Sequence, residues 1–139
     1  MAITTGMCTS FKEEILKAIH DFTSDTFKIA LYTNSASLGA STTAYTTSNE
    51  TSGTGYSAGG ATLTTVSPTT SGTVAYVDFN DVSFTSSTIT ARGALIYNSS
   101  KANRAVAVYD FGADQSSSNS TFTIQFPAAL SSSAILRIE

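Results

Sequence analysis

Apolar and polar positions change rhythm once along this chain, near residue 26. Before that point Phe11, Ile15, Ala18 and Ile19 recur at spacings of four, three and one, which lines one face of a helix, and Leu16 widens the stripe. Ser10 followed by Glu13 has the form of a capping box, with Glu13 and Glu14 in the positively polarised first turn. The pattern predicts an amphipathic helix over about residues 7–20, ending between His20 and Thr23. A start one turn earlier would use Thr4 or Thr5 as cap and bring Cys8 onto the apolar stripe.

Beyond residue 26 the rhythm is that of strands. Phe27–Tyr32 alternates as a half-buried strand does, and further strands are expected at 61–66, 73–79, 82–90, 92–97, 105–111, 121–126 and 135–138. Ser71-Gly72, Asn80-Asp81, Asn98 to Asn103, Gly112 to Asn119 and Pro127 onwards supply the turns between them. Residues 34–55 form a long Ser/Thr-rich loop or arm, and Gly53, Gly55, Gly59 and Gly60 frame Tyr56 with sharp turns. Eight short strands after one helix predict a mainly β fold: an antiparallel β-sandwich or jelly-roll-like barrel with one N-terminal amphipathic α-helix, a single domain over 1–139.

Composition sharpens this picture. About a third of all positions are Ser or Thr, while Asp, Glu, Lys and Arg together make up 12%, roughly half the usual share. A hydroxyl-rich surface packs against a neighbour without stripping water from ions. The net charge of −3 and the scatter of seven Lys and Arg speak against a nucleic-acid partner and against an anionic membrane. One cysteine rules out an intrachain disulfide. Neither a secretory leader nor a membrane-spanning apolar run is visible.

The side chains fit for chemistry are few. His20 is the only histidine; at the end of the predicted helix it meets the negative end of the dipole, with Asp21 beside it. Cys8 reads as a small buried hydrophobe, since a nucleophilic cysteine needs an electropositive setting and a base. Asp78 with Asp81, or Asp110 with Asp114, are spaced to meet at one end of the sheets, but no calcium-loop pattern accompanies them. The glycine-rich run from Gly53 to Gly60 lacks the Lys-Ser/Thr of a phosphate loop. The expectation is no catalytic residue, no metal and no cofactor; Tyr56, freed by its flanking glycines, is placed either at a neighbouring subunit or packed on its own domain.

Three stretches carry a resemblance. Thr9-Ser10-Phe11-Lys12-Glu13-Glu14-Ile15-Leu16 with His20-Asp21-Phe22 and Phe27 to Thr33, the block from Glu50 to Gly60, and Ala91 to Asn98 resemble a family of small structural proteins of tailed bacteriophages, along most of the chain. The resemblance implies a non-enzymatic virion protein. Its first form is a capsid decoration, or cement, protein: a homotrimer that clamps neighbouring copies of the major capsid protein on the shell exterior, with Tyr45, Tyr56 and the intervening loop as the candidate subunit contacts. A tail, neck or fibre-attachment protein is the alternative within the virion. A carbohydrate-binding module, using exposed Tyr beside amide or acidic side chains at strand ends, as in Tyr97-Asn98 and Tyr109-Asp110, is the alternative outside it.

Overall fold

The computed structural model describes residues 2–127, 129–130, 132 and 134–139. Eight strands and one helix follow in the order β1 (Gly6–Met7), α1 (Thr9–Leu16), β2 (Phe27–Tyr32), β3 (Ala61–Thr62), β4 (Thr65–Ser71), β5 (Val74–Phe79), β6 (Val82–Asn98), β7 (Arg104–Ile124) and β8 (Leu136–Ile138). They make two antiparallel sheets, one ordered β1-β7-β6-β2-β3 and one ordered β4-β5-β8. The fold is mainly β, with one short helix.

The helix is shorter than its periodicity predicts. It covers Thr9–Leu16, not 7–20, and residues 6 and 7 belong to a strand that pairs with Val108 and Ala107. No capping box forms: Cys8 takes the N-cap position in extended conformation without a side-chain capping bond, and Ser10 Oγ donates to the Thr42 carbonyl at 3.5 Å. Glu13 lies in the second turn and pairs with Lys17. At the other end Ala18 adopts a left-handed φ of 58°, and the Ile19 N–H reaches back to the Glu14 carbonyl at 3.0 Å. That wrap closes the helix as glycine usually does, so Ile19 and His20 leave the helical face, and His20 is buried.

The larger difference lies in β6 and β7. Four separate strands are predicted there, yet two continuous ones form, paired from Val82↔Ile124 to Asn98↔Arg104 around the turn that Asn98 to Asn103 signals. The turn chemistry of Gly112 to Asn119 goes into irregular pairing. Between Ala91↔Gln115 and Gly93↔Asp110, β6 advances two residues while β7 advances five. Gly112 (φ 82°) takes a positive φ within this mismatch, and Ser86 (φ 48°) and Asn119 (φ 47°) do so at the register shifts between Phe84 and Ile89. Both strands bend sharply as a result. Phe111 and Phe122 would stand about 35 Å apart along a straight strand, but their ring centroids are 6.4 Å apart. Phe84 likewise returns to the Tyr56 ring, 5.4 Å away, whose hydroxyl reaches Leu31, the neighbour of Ala94.

The core follows the strands inward. β2 is buried from Phe27 to Tyr32 apart from Lys28, and β6 is buried without interruption from Gly93 to Asn98. An aromatic chain joins helix to sheets: Phe11 meets His20 and Phe22, Phe22 stacks on Phe27 at 4.4 Å, and Phe27 meets Phe79, which meets Phe126. No helix among the described residues is long and apolar enough to cross a membrane.

Candidate functional site

The long loop between β2 and β3 is held to its own chain. Isolated bridges join Leu38 to Ile3, Ala44 to Arg104, Glu50 to Tyr32 and Thr54 to Thr88. At its centre stands Glu50. Tyr45 donates its hydroxyl to Oε2 at 2.7 Å, Tyr56 donates to Oε1 at 2.7 Å, and the Gly59 N–H donates to Oε1 at 2.8 Å. Tyr56 also accepts the Leu31 N–H at 2.9 Å, while Tyr97 donates to the Gly59 carbonyl at 2.6 Å and Tyr32 to the Thr46 carbonyl at 2.6 Å. The Tyr45 and Tyr97 rings stack at 4.7 Å.

The two tyrosines singled out by sequence thus meet at one carboxylate, and their hydroxyls face their own chain. Burial, together with the neighbouring Glu50 charge, pushes both phenols well above the usual tyrosine range, so they remain donors. Glu50, Tyr32 and Tyr97 complete the cluster and were missed as a group. The available signal was glycine: a Cβ at Gly60 would lie 1.8 Å from the Ile29 carbonyl oxygen, and Gly60 has a φ of 77°. Only glycine lets the loop press so closely on β2.

A second cluster surrounds His20, which lies beyond the helix and not on its last turn. Its side chain has no exposed surface. Nε2 is 2.9 Å from Glu14 Oε1, and Nδ1 is 3.0 Å from Asn98 Nδ2. Asn98 Nδ2 also faces Asp25 Oδ2 at 2.8 Å, and its Oδ1 accepts the Ser100 N–H at 3.0 Å. The carboxylate and the amide N–H fix which end of Asn98 carries hydrogens, so Nδ1 of His20 accepts and Nε2–H donates to Glu14. Arg104 binds Glu14 Oε2 at 2.6 Å, and Lys101 binds Asp25 Oδ1 at 2.8 Å. Burial alone would raise both carboxyls, but these hydrogen bonds outweigh it: Glu14 falls below the usual range, and Asp25 falls to about 2. The partner that orients His20 is Glu14, and Asp21 instead caps Thr23.

The remaining candidates separate. Cys8 is fully buried, and burial with the Glu14 charge pushes its thiol up to about 11. Asp110 pairs with Arg92 at 2.9 Å, whereas Asp114 accepts from Asn34 at 3.0 Å. Asp78 and Asp81 line one open cleft, where Asp81 accepts the Phe126 N–H and buried Asp78 accepts the Phe79 N–H. Among the described residues no group of three or more His, Cys, Asp or Glu gathers as metal ligands do.

Two surfaces complete the site. On the bent ribbon, hydroxyls pair across the strands: Ser83 with Thr123 at 3.2 Å, Thr90 with Ser116 at 2.8 Å, and Ser87 with Ser117 at 2.7 Å. Between α1 and the small sheet lies an apolar slot of about 330 Å³ bordered by Phe11, Ile15, Leu16, Phe22 and Ile138. Compared with known proteins, the chain matches no family model, no curated protein and no solved structure.

Proposed function

We propose that this chain is a non-enzymatic virion structural protein of a tailed bacteriophage, acting as a capsid decoration protein. One observation carries the reading: several carboxylates are engaged by the chain's own residues, while the ribbon segments 82–90 and 115–124 carry no charged residue. Glu14, Asp25 and Asp110 are paired with Arg104, Lys101 and Arg92, and Glu50 is ringed by phenols. What the ribbon offers a neighbour is a lattice of Ser and Thr hydroxyls. Such a surface associates without desolvating ions, and modest contacts repeated by symmetry accumulate through multivalency.

In this reading the bent β6–β7 hairpin folds the two sheets into a sandwich, and the protein assembles as a homotrimer over neighbouring copies of the major capsid protein. Tyr45 and Tyr56 serve the contact indirectly. Their hydroxyls brace the 34–55 loop on Glu50, so the loop backbone and its exposed Ser and Thr meet the neighbour. A tail, neck or fibre-attachment role fits the same surface with fewer copies.

The test is the copy number in purified particles, by quantitative mass spectrometry against the major capsid protein. A ratio near one per capsid subunit is expected. A ratio that amounts to a single small ring moves the protein to the neck or tail, and complete absence overturns the virion reading.

A further inference from the structure

The elbow of β7 encloses a cleft of about 330 Å³ whose walls come from both arms of the bend. Phe111 and Gln115 stand on one arm; Thr121, Phe122, Thr123 and Gln125 stand on the other. Phe111 is half-buried and rests near Phe122, which is buried. Gln115, Gln125, Thr121 and Thr123 are exposed. From these features we infer that the cleft is a binding site for an uncharged saccharide.

Chemistry narrows the ligand class. No residue lining the cleft is charged. A phosphate, a sulfate or an acidic sugar would find no cation to pair with, although such ligands are normally held by charge-assisted bonds. An acyl chain would leave two primary amides and several hydroxyls unsolvated, which is costly. The apolar slot beside α1 is the surface with acyl-like lining, and it lies on other elements. A neutral sugar matches what remains. Each glutamine amide presents a donor and an acceptor side by side, the arrangement that vicinal hydroxyls satisfy, and the Thr121 hydroxyl rotates to suit either role, while the Thr123 hydroxyl is shared with Ser83. Half-buried Phe111 adds an apolar aromatic side chain to the lining, of the kind that packs against the C–H side of a pyranose. The volume lies at the lower end of the small-molecule range, matching a short stretch of a glycan.

The bend creates this site. In a straight β7 the two phenylalanines would be separated by most of the length of the strand, and Gln115 and Gln125 would line no common cavity. The inference is independent of where the protein sits in a particle, so it stands or falls separately from the decoration reading.

Titration of ¹⁵N-labelled full-length protein with neutral oligosaccharides tests it; the probes are maltotetraose, cellotetraose and N,N′,N″-triacetylchitotriose. At least one is expected to shift the backbone signals of Phe111, Gln115 and residues 121–125 and the side-chain amide signals of both glutamines, with millimolar affinity. Gln125→Ala and Gln115→Ala, both on exposed positions, are expected to weaken that binding about tenfold, or ~1.4 kcal/mol. Phe111→Ala should weaken it further, and Leu16→Ala on the apolar slot should leave it unchanged. The proposal is overturned if no probe shifts these signals, if the shifts survive both glutamine substitutions, or if sialyllactose or a Ser/Thr peptide binds as strongly.

Discussion

The two halves of the β6–β7 hairpin share one pair of strands but not one environment. Near the turn, β6 runs Gly93-Ala94-Leu95-Ile96-Tyr97-Asn98 with every residue buried, because β2 pairs on one edge and both faces are covered. At the far end the same strand alternates: Val82, Phe84, Ser87 and Ile89 are buried between exposed Ser83, Thr85, Thr88 and Thr90. A strand covered on both faces reads as a continuous apolar run, whereas a strand with one wet face reads as alternation. The halves differ again in their polar bonds. The near turn is held by charge, through Asp25, Lys101, Glu14 and Arg104, while the far ribbon is held by neutral hydroxyl pairs. The near half therefore reads as the anchor of the fold, and the far half is the surface that the decoration reading proposed above assigns to contact.

This contrast predicts a steep gradient of mutational cost. Leu95→Ala, in the near half with no exposed surface, should lower unfolding free energy by about 3 kcal/mol in urea denaturation. A loss below about 1 kcal/mol would mean the near half is not the anchor. Gly93→Ala should cost about 2 kcal/mol, because its Cβ would fall 2.5 Å from the Tyr109 carbonyl oxygen and 2.9 Å from Ile3.

The ion pair at the near turn should appear as acid sensitivity. Asp25 has its pKa lowered to about 2, so its stabilisation is present above the ordinary aspartate value and is lost as pH falls through about 2. Wild-type urea midpoints should fall more steeply between about pH 4 and pH 2 than those of Asp25→Asn; equal slopes would sink this assignment.

The hydroxyl positions of the far half should be forgiving, with one exception. Ser87 is buried and its hydroxyl contacts both Ser117 and the Ser120 carbonyl, so Ser87→Ala should cost about 1 kcal/mol. Ser83→Ala and Thr90→Ala, on exposed pairs, should each stay within about 0.5 kcal/mol. Losses there as large as that at Ser87 would erase the contrast between halves.

Legibility in the sequence follows the range of the interaction. β2 is found over the six residues predicted, although it is buried at all of them but Lys28 and not half-buried as its alternation suggests. The turns at Ser71-Gly72, Asn80-Asp81 and Asn98 to Asn103 fall where their residues place them. The helix shrank because periodicity is blind to a local reversal: Ala18 carries no sequence mark of a left-handed residue, yet it ends the helix. Gly112 to Asn119 was legible as a departure from regular strand but not as a bulge. A bulge and a turn use the same positive-φ residues and differ only in whether a partner strand continues alongside. Of the site, Tyr45 and Tyr56 stood out by their setting. Glu50 did not, because a carboxylate that gathers phenols from 45 and 56 looks in sequence like any loop acid.

By itself, the sequence determined the mainly β class, the neutral hydroxyl surface and the scarcity of groups for chemistry, because these depend on composition and on periods of a few residues. Only the tertiary structure decided the bend of β6 and β7, the junction of Glu50 with its tyrosines, the burial of His20 between Glu14 and Asn98, and the cleft at the β7 elbow. Each of these joins residues across a bend or from distant segments. No local pattern encodes which of many similar Ser, Thr and Tyr residues will meet once the chain closes on itself.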